Sequence, residues 1–276
     1  LNAFGNQCSS QIRMKLIAKR SLTCYGASRE VLSAIQPAQS GTTKGRRETI
    51  PPIGSMATST YVLRLVKDVF SPHAASKHLP DGCRIVYCNT GNLSFEGGSV
   101  LQPDEARFMR SGMTIRAGAE GGELWRWELD EVTAEPQLDL GEGIRSEIVE
   151  SNEVPTVENL DDWLIRCDSV LFPTGGTAVP HSHLGPGIRC IRNGKLTLST
   201  DKLSKDYQPG DAWFEPGAQT VWAEACTQEC TRFIRVLLLP KEIKGKSSIR
   251  YLNEADRRKP KSQRYKSYVD ELLSLK

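Results

Sequence analysis

Two stretches of this chain, Gln102-Pro103-Asp104-Glu105-Ala106-Arg107-Phe108 and Gln208-Pro209-Gly210-Asp211-Ala212-Trp213-Phe214, are copies of one pattern. At the same offset Thr114 falls on Thr220, Ile115 on Val221 and Ala117 on Ala223. The run ELWRWEL (123–129) falls on TRFIRVL (231–237) with a small insertion, and upstream CRIVYCNTGNLSF falls on GIRCIRNGKLTL. These runs are short, dense in Val, Ile, Leu and aromatics, and bounded by Gly, Pro and Asn, which is strand patterning. A chain that carries such a unit twice has to fold it twice. The expected fold is therefore all-β, built from two copies of one β-unit.

Tyr61 to Phe70, YVLRLVKDVF, predicts a strand that ends in a turn at Ser71-Pro72. Arg84 to Cys88 predicts a buried strand, Asn89-Thr90-Gly91-Asn92 a hairpin turn, and Leu93-Ser94-Phe95 the return strand. In the second copy the stretch Gly175 to Gly194, GGTAVPHSHLGPGIRCIRNG, lies between two more strand-like runs. It carries His181 and His183, half of the four histidines. Residues two apart on a strand point to the same face, so an H-x-H pair aims two imidazoles at one point, as a metal site requires. Spacing alone also fits two loop histidines beside Pro180, and both readings stand at this level.

The surroundings of the pair carry a resemblance. Gly175, five residues, His181-Ser182-His183, three residues, Gly187, six residues and Gly194 resemble the first motif of the cupin superfamily, G-x5-H-x-H-x3-E-x6-G. Gly210 to Pro216 resembles the start of the second, G-x5-P-x-G-x2-H. The resemblance covers about residues 163–239. It implies two cupin-type antiparallel β-barrels of the double-stranded β-helix or jelly-roll kind, a bicupin whose N-terminal barrel is degenerate. The family commonly holds a divalent metal (Fe, Mn, Zn or Ni) with three His and one Glu. Here the Glu position is Gly187, the motif's second Gly is Ala218, and the third His position is Val221. His181 and His183 are the matched ligands that remain, with Glu215 as the nearest candidate for a third and Gln219 a poorer one. In the first half Arg84 and Ile115 take the aligned Glu and His positions, and His73 and His78 read as loop histidines.

Arg189 lies two residues after Gly187, so strand parity turns it inward as well. A buried guanidinium needs an anionic or strongly accepting partner. That partner is either Glu215, making a structural ion pair, or the carboxylate of a small ligand. Gly185-Pro186-Gly187 carries little side-chain bulk and is expected to leave space beside it.

The remaining chain sets the boundaries. Residues 1–55 are rich in Ser, Thr, Gln, Lys and Arg and contain only Glu30 and Glu48 as acids. They read as a disordered leader, of transit-peptide character after Met14 or upstream of a start at Met56. Residues 56–130 form the N-terminal barrel, 131–160 an acidic linker broken by Pro136 and Pro155, and 161–240 the C-terminal barrel. Residues 241–276 form a basic extension packing on the barrels, in which Tyr265, Tyr268, Val269, Leu272 and Leu273 suit a closing helix or strand. The net charge of +3 is too small to argue for nucleic acid, and no apolar run is long enough for a membrane span. Eight cysteines without a C-x-x-C suit buried thiols in a reducing compartment, so a cytoplasmic location is expected, organellar if the leader is a transit peptide. Cys226 and Cys230 flank an expected hairpin and are near enough in sequence to pair, although free thiols are the simpler reading. A homodimer through barrel edges is compatible with this architecture. Two functions follow: a metal-dependent enzyme, oxygenase-like or isomerase-like, or a metal-free barrel that binds a small anionic molecule or serves as a structural module.

Overall fold

The computed structural model describes residues 61–154 and 160–273. The expected leader, residues 1–55, lies outside the described residues. The first half is β1 (Tyr61–Phe70), β2 (Cys83–Phe95), β3 (Val100–Leu101), β4 (Ala106–Met109), β5 (Ile115–Glu131) and β6 (Ile144–Val154). They form one antiparallel sheet in the order β3-β2-β5-β1-β6, with β4 also paired to β2. The second half is β7 (Trp163–Phe172), β8 (Thr177–His183), β9 (Gly187–Asn193), β10 (Leu196–Ser199), β11 (Ser204–Tyr207), β12 (Ala212–Glu215), β13 (Val221–Ala225) and β14 (Thr231–Pro240). A C-terminal extension adds β15 (Ile249–Tyr251), α1 (Glu254–Arg258) and β16 (Arg264–Leu272). Two antiparallel sheets result, β12-β9-β14-β7-β16 and β11-β10-β13-β8-β15.

The repeat is real in register. Ala106 pairs with Tyr87 as Ala212 pairs with Cys190. The Gln102 amide donates to Glu105 Oε2 and the Gln208 amide to Asp211 Oδ2, each at 2.9 Å. Asp104 adopts a left-handed φ of 68° where its counterpart Gly210 has 91°. An Asp tolerates that conformation less readily than Gly. The Asp104 carboxylate is held by Arg192 at 3.1 Å, Arg232 at 2.5 Å and Lys266 at 3.0 Å, with the Tyr87 and Tyr268 hydroxyls beside it. Desolvation would raise its pKa, but hydrogen bonds from Tyr268, Lys266 and Arg232 bring it down to about 2. This carboxylate of the first half thus ties down cations of the second.

Strand alternation sorts the apolar residues into three layers. Leu63, Leu65, Ile85, Tyr87, Trp125 and Trp127 pack against Ile165, Cys167, Ile188, Cys190, Ile234 and Val236, joining the two halves back to back. The opposite faces line each barrel. Phe70, Leu79, Leu93, Phe95, Met113 and Leu124 fill the first, while Phe172, Leu196, Leu198, Trp213, Val221 and Phe233 belong to the second.

Two local expectations change, and one left open between helix and strand is resolved. Cys83–Phe95 is one bent strand pairing with β5 throughout, with register shifts near Thr90 and Gly91, instead of a hairpin. The bend needs glycine: Gly91 has φ +73°, and a Cβ there would lie 2.1 Å from the Gly121 carbonyl. The acidic stretch 131–160 is not simply a linker, because it contains β6 paired along β1. All but one of the strand's residues are exposed or half-buried, and the charges that hid its alternation are those of an edge strand facing water. The C-terminal stretch closes as a strand, β16, along β7. Among the described residues no helix is long and apolar enough to cross a membrane.

Candidate functional site

The second barrel encloses a cavity of 340 Å³. Polar side chains from several strands converge on it. His181 and His183 stand on β8, Arg189 on β9, Glu215 on β12, Arg235 on β14 and Tyr251 on β15, and all of them line the cavity. Register explains the convergence. Glu215 pairs with Gly187 and Trp213 with Arg189, while Arg235 pairs with Arg189 from the other side. Val221, which replaces the third family histidine, pairs directly with His181 and is buried.

Arg189 is 1% exposed and Glu215 5%. Arg189 Nη1 donates to the Gly187 carbonyl at 2.6 Å, and Trp213 Nε1 donates to Glu215 Oε1 at 2.8 Å. Arg189 Nη2 and Glu215 Oε2 are 2.8 Å apart, an ion-pair contact. The contact is poorly directed, and neither atom has a hydrogen-bond partner. Buried polar atoms are rarely left so. Arg189 has its pKa lowered to about 10, first by desolvation and then by Arg235, with Glu215 acting against both. Even so lowered, it is charged at neutral pH.

His181 Nδ1 lies 2.8 Å from the Val179 carbonyl. A carbonyl only accepts, so Nδ1 carries the proton and Nε2 is left as an acceptor. His183 is at long range from two partners, with Nδ1 3.5 Å from Ser248 Oγ and Nε2 3.5 Å from Glu215 Oε2. Desolvation is the first cause lowering the pKa of both rings, strongly at His183, where Arg189 and Arg235 add to it. Both imidazoles are neutral at pH 7.

His181, His183, Arg189 and Glu215, all named from the sequence, are brought together. Their arrangement bears on the roles expected of them. A metal held by the two imidazoles would need the free oxygen of Glu215, and the Arg189 guanidinium sits on it. A cation there also opposes a second cation beside it. Among the described residues no group of three or more His, Cys, Asp or Glu is arranged to hold an ion. The side chains present fit a guanidinium-neutralised carboxylate and do not fit a resident metal. Gln219 lies away from the cavity, in a separate groove with Pro180 and Trp222. His73 and His78 fall on the β1–β2 connection and do not line the cavity.

Gly185 and Gly187 do not open space for a ligand, contrary to expectation. A Cβ at Gly185 would meet the Leu238 carbonyl at 1.9 Å, and one at Gly187 the Val236 carbonyl at 2.3 Å. Their bareness lets backbones approach, and it also excludes the family glutamate at position 187.

Sequence reasoning missed Arg235 and the extension's contribution to the cavity lining. Arg235 forks onto Asp168, at 2.6 and 3.1 Å, both residues being buried. The available signal was a pair of charges at inward positions of otherwise apolar strands. The extension forms part of the cavity wall. Tyr251 pairs with His181, Gln263 Nε2 donates to the Thr177 carbonyl at 2.5 Å, and Lys261 Nζ stands 4.2 Å from the Tyr251 ring centroid.

No protein-family profile matches the chain, and no curated protein matches it by sequence. Solved structures do match. An oxalate decarboxylase studied for its substrate binding mode and reaction specificity switch aligns with a TM-score of 0.50 at 15% identity, over 74% of each chain. The fold is that of a two-barrel cupin. Oxalate decarboxylase from Bacillus subtilis at pH 4.6 aligns with a TM-score of 0.49 at 15% identity, over 74% of this chain and 73% of that one. The Bacillus subtilis enzyme whose Mn(II) centres were assigned by EPR aligns with 0.49 at 14% identity, over 74% and 78%. Identities this low speak to the fold alone.

Proposed function

We propose that the second barrel of this cupin is a metal-independent receptor for a small hydroxy acid. The observation that carries the reading is the orphaned pair at its centre. Arg189 Nη2 and Glu215 Oε2 are buried and 2.8 Å apart as an ion pair, but the contact is not directed as a hydrogen bond, so each keeps hydrogen-bonding capacity. Their complement is a group that accepts and donates from adjacent atoms. A carboxylate next to a hydroxyl does this, with the carboxylate taking the Arg189 N–H and the hydroxyl donating to Glu215. The rest of the wall is largely apolar, with Leu196, Leu198, Val221 and Phe233 facing the cavity. A cavity of 340 Å³ holds about eleven water-sized groups at ~30 Å³ each, so the ligand is small and carries an apolar body. Lys261, in the cavity wall, favours an anion.

Mandelate and phenylacetate share carboxylate and ring and differ in the hydroxyl. Calorimetric titration of the full chain is expected to show mandelate binding tighter. A hydrogen bond to a charged group is worth roughly 1.5–3 kcal/mol, about ten- to a hundredfold in affinity. Glu215→Gln should shrink that preference, and Arg189→Met should weaken both ligands. Equal affinities, or no binding of either, would sink the reading. The metal-dependent alternative, oxygenase or isomerase, requires Arg189 to leave Glu215. Stoichiometric Mn(II) or Fe(II) in untagged protein, lost in His181→Ala, would replace the present proposal.

A further inference from the structure

Arg189, Glu215 and His183 follow one another in the cavity wall, and His181 continues the series. Arg189 Nη2 lies 2.8 Å from Glu215 Oε2, and Glu215 Oε2 lies 3.5 Å from His183 Nε2. The two imidazoles stand edge to face, with ring centroids 5.1 Å apart. A hydroxy acid held by carboxylate and hydroxyl spends the first two members of this series. It leaves the histidines without a task.

Their tautomers assign one. A carboxylate oxygen only accepts, so the His183 nitrogen that faces Glu215 carries the hydrogen, and Nδ1 is left to accept from the Ser248 hydroxyl. His183 therefore presents an N–H at Nε2. His181 presents the opposite. Its Nδ1–H is directed at the Val179 carbonyl, so Nε2 keeps a bare lone pair. The ring is half-buried and lines the cavity, with the Tyr251 ring beside it at 6.4 Å between centroids. Among the described residues no group donates to His181 Nε2. An acceptor that lines a cavity without a partner calls for a donor on the ligand.

On the hydroxy-acid reading of the site, we infer that the barrel takes a 2,3-dihydroxy acid, with the second hydroxyl donating to His181 Nε2. The ligand's polar groups then follow the wall in order. The carboxylate takes Arg189. The hydroxyl on the alpha carbon donates to Glu215 and receives the His183 Nε2–H. The hydroxyl on the next carbon reaches His181, because oxygens on adjacent carbons are spaced much as Arg189, Glu215 and His183 are spaced. An ammonium in its place would set a third cation beside Arg189 and Arg235, which both line the same cavity, so the donor is a neutral hydroxyl. The remaining carbons carry the apolar body against Leu196, Leu198 and Phe233.

3-Phenyllactate and 2,3-dihydroxy-3-phenylpropanoate share the carboxylate, the first hydroxyl and the ring, and differ in the second hydroxyl. Calorimetric titration of the full chain at neutral pH compares 3-phenyllactate with the two diastereomers of the diol, all matched at the alpha carbon. One diastereomer should bind tighter than 3-phenyllactate by roughly two- to tenfold, the worth of a neutral hydrogen bond. The other should show no such gain, because His181 stands on one side of the ligand. His181→Phe keeps a ring and removes the acceptor, so the gain should vanish. His183→Phe should weaken all three ligands together, since His183 acts at the first hydroxyl. Melting temperatures report the folding of both variants, and the wild-type comparison stands without them. Binding of 3-phenyllactate with no gain for either diol overturns the second-hydroxyl contact and leaves the hydroxy-acid reading in place. A gain that survives His181→Phe, or that is lost only in His183→Phe, overturns the role of His181. No binding of any of the three overturns both readings.

Discussion

The two barrels carry the same inward-facing guanidinium and use it differently. In the first, Arg126 on β5 forks onto Asp68 at 2.5 and 3.1 Å, reaches Glu128 at 2.7 Å and donates to the Gln137 carbonyl at 3.0 Å. Arg84 adds a second cation to Glu128 at 3.1 Å. In the second, Arg235 on β14 forks onto Asp168 in the same manner. There the similarity stops. The first barrel is lined by packed apolar side chains such as Phe70, Leu79, Leu93 and Met113, and its inward charges pair with one another. The second has His181 opposite Val221, a further Arg189–Glu215 pair with unspent hydrogen-bonding capacity, and an open volume. On the proposed reading, one β-unit serves as a closed structural body when its buried charges are complete and as a receptor when they are not. Buried charges left incomplete weaken a fold, so under that proposal the second half carries a stability cost.

The sharpest way to break the comparison is to uncouple the closed network. Asp68→Ala leaves the fully buried Arg126 short of its main partner, and a broken buried pair costs roughly 3–5 kcal/mol. Urea unfolding of this variant should show the largest loss of any single change considered for either barrel. In the receptor barrel, Glu215→Gln keeps the shape and the Trp213 contact while removing a charge whose pairing was already poor. The expected loss is about 1–3 kcal/mol. If Glu215→Gln proves as damaging as Asp68→Ala, the second barrel is as structural as the first and the receptor reading fails.

Acid titration sharpens the contrast at smaller amplitude. The pKa values of His181 and His183 are depressed in the folded chain below the ordinary 6.5. The unfolded chain therefore binds protons first as the pH falls. Stability is complete above 6.5 and declines below it, by about 1.4 kcal/mol per pH unit for each histidine until the folded value is reached. Unfolding curves between neutral and mildly acidic pH should show this slope in wild type and lose it in His181→Asn/His183→Asn. A slope that survives the double replacement would assign it to other groups.

Much of this was legible before any coordinates. Strand alternation, repeated turn signals and the duplicated Gln-Pro pattern determine an all-β chain folded twice. Parity alone turns His181, His183 and Arg189 inward, because the side-chain period of a strand is two. Parity says nothing about which inward residues meet. That Arg189 rests on Glu215, that Arg235 is spent on Asp168, and that Tyr251 joins the cavity wall are matters of register between strands far apart in sequence. The same limit produced the misreadings. Asn89-Thr90-Gly91-Asn92 has turn chemistry, yet Gly91 serves a bend against Gly121. Gly185 and Gly187 look like open space, yet each admits a neighbouring backbone. The sequence by itself determined the β-unit, its duplication and the facing of its polar residues. Only the tertiary structure decided which charges complete one another, because pairing energies depend on distances of a few ångströms that strand packing alone sets.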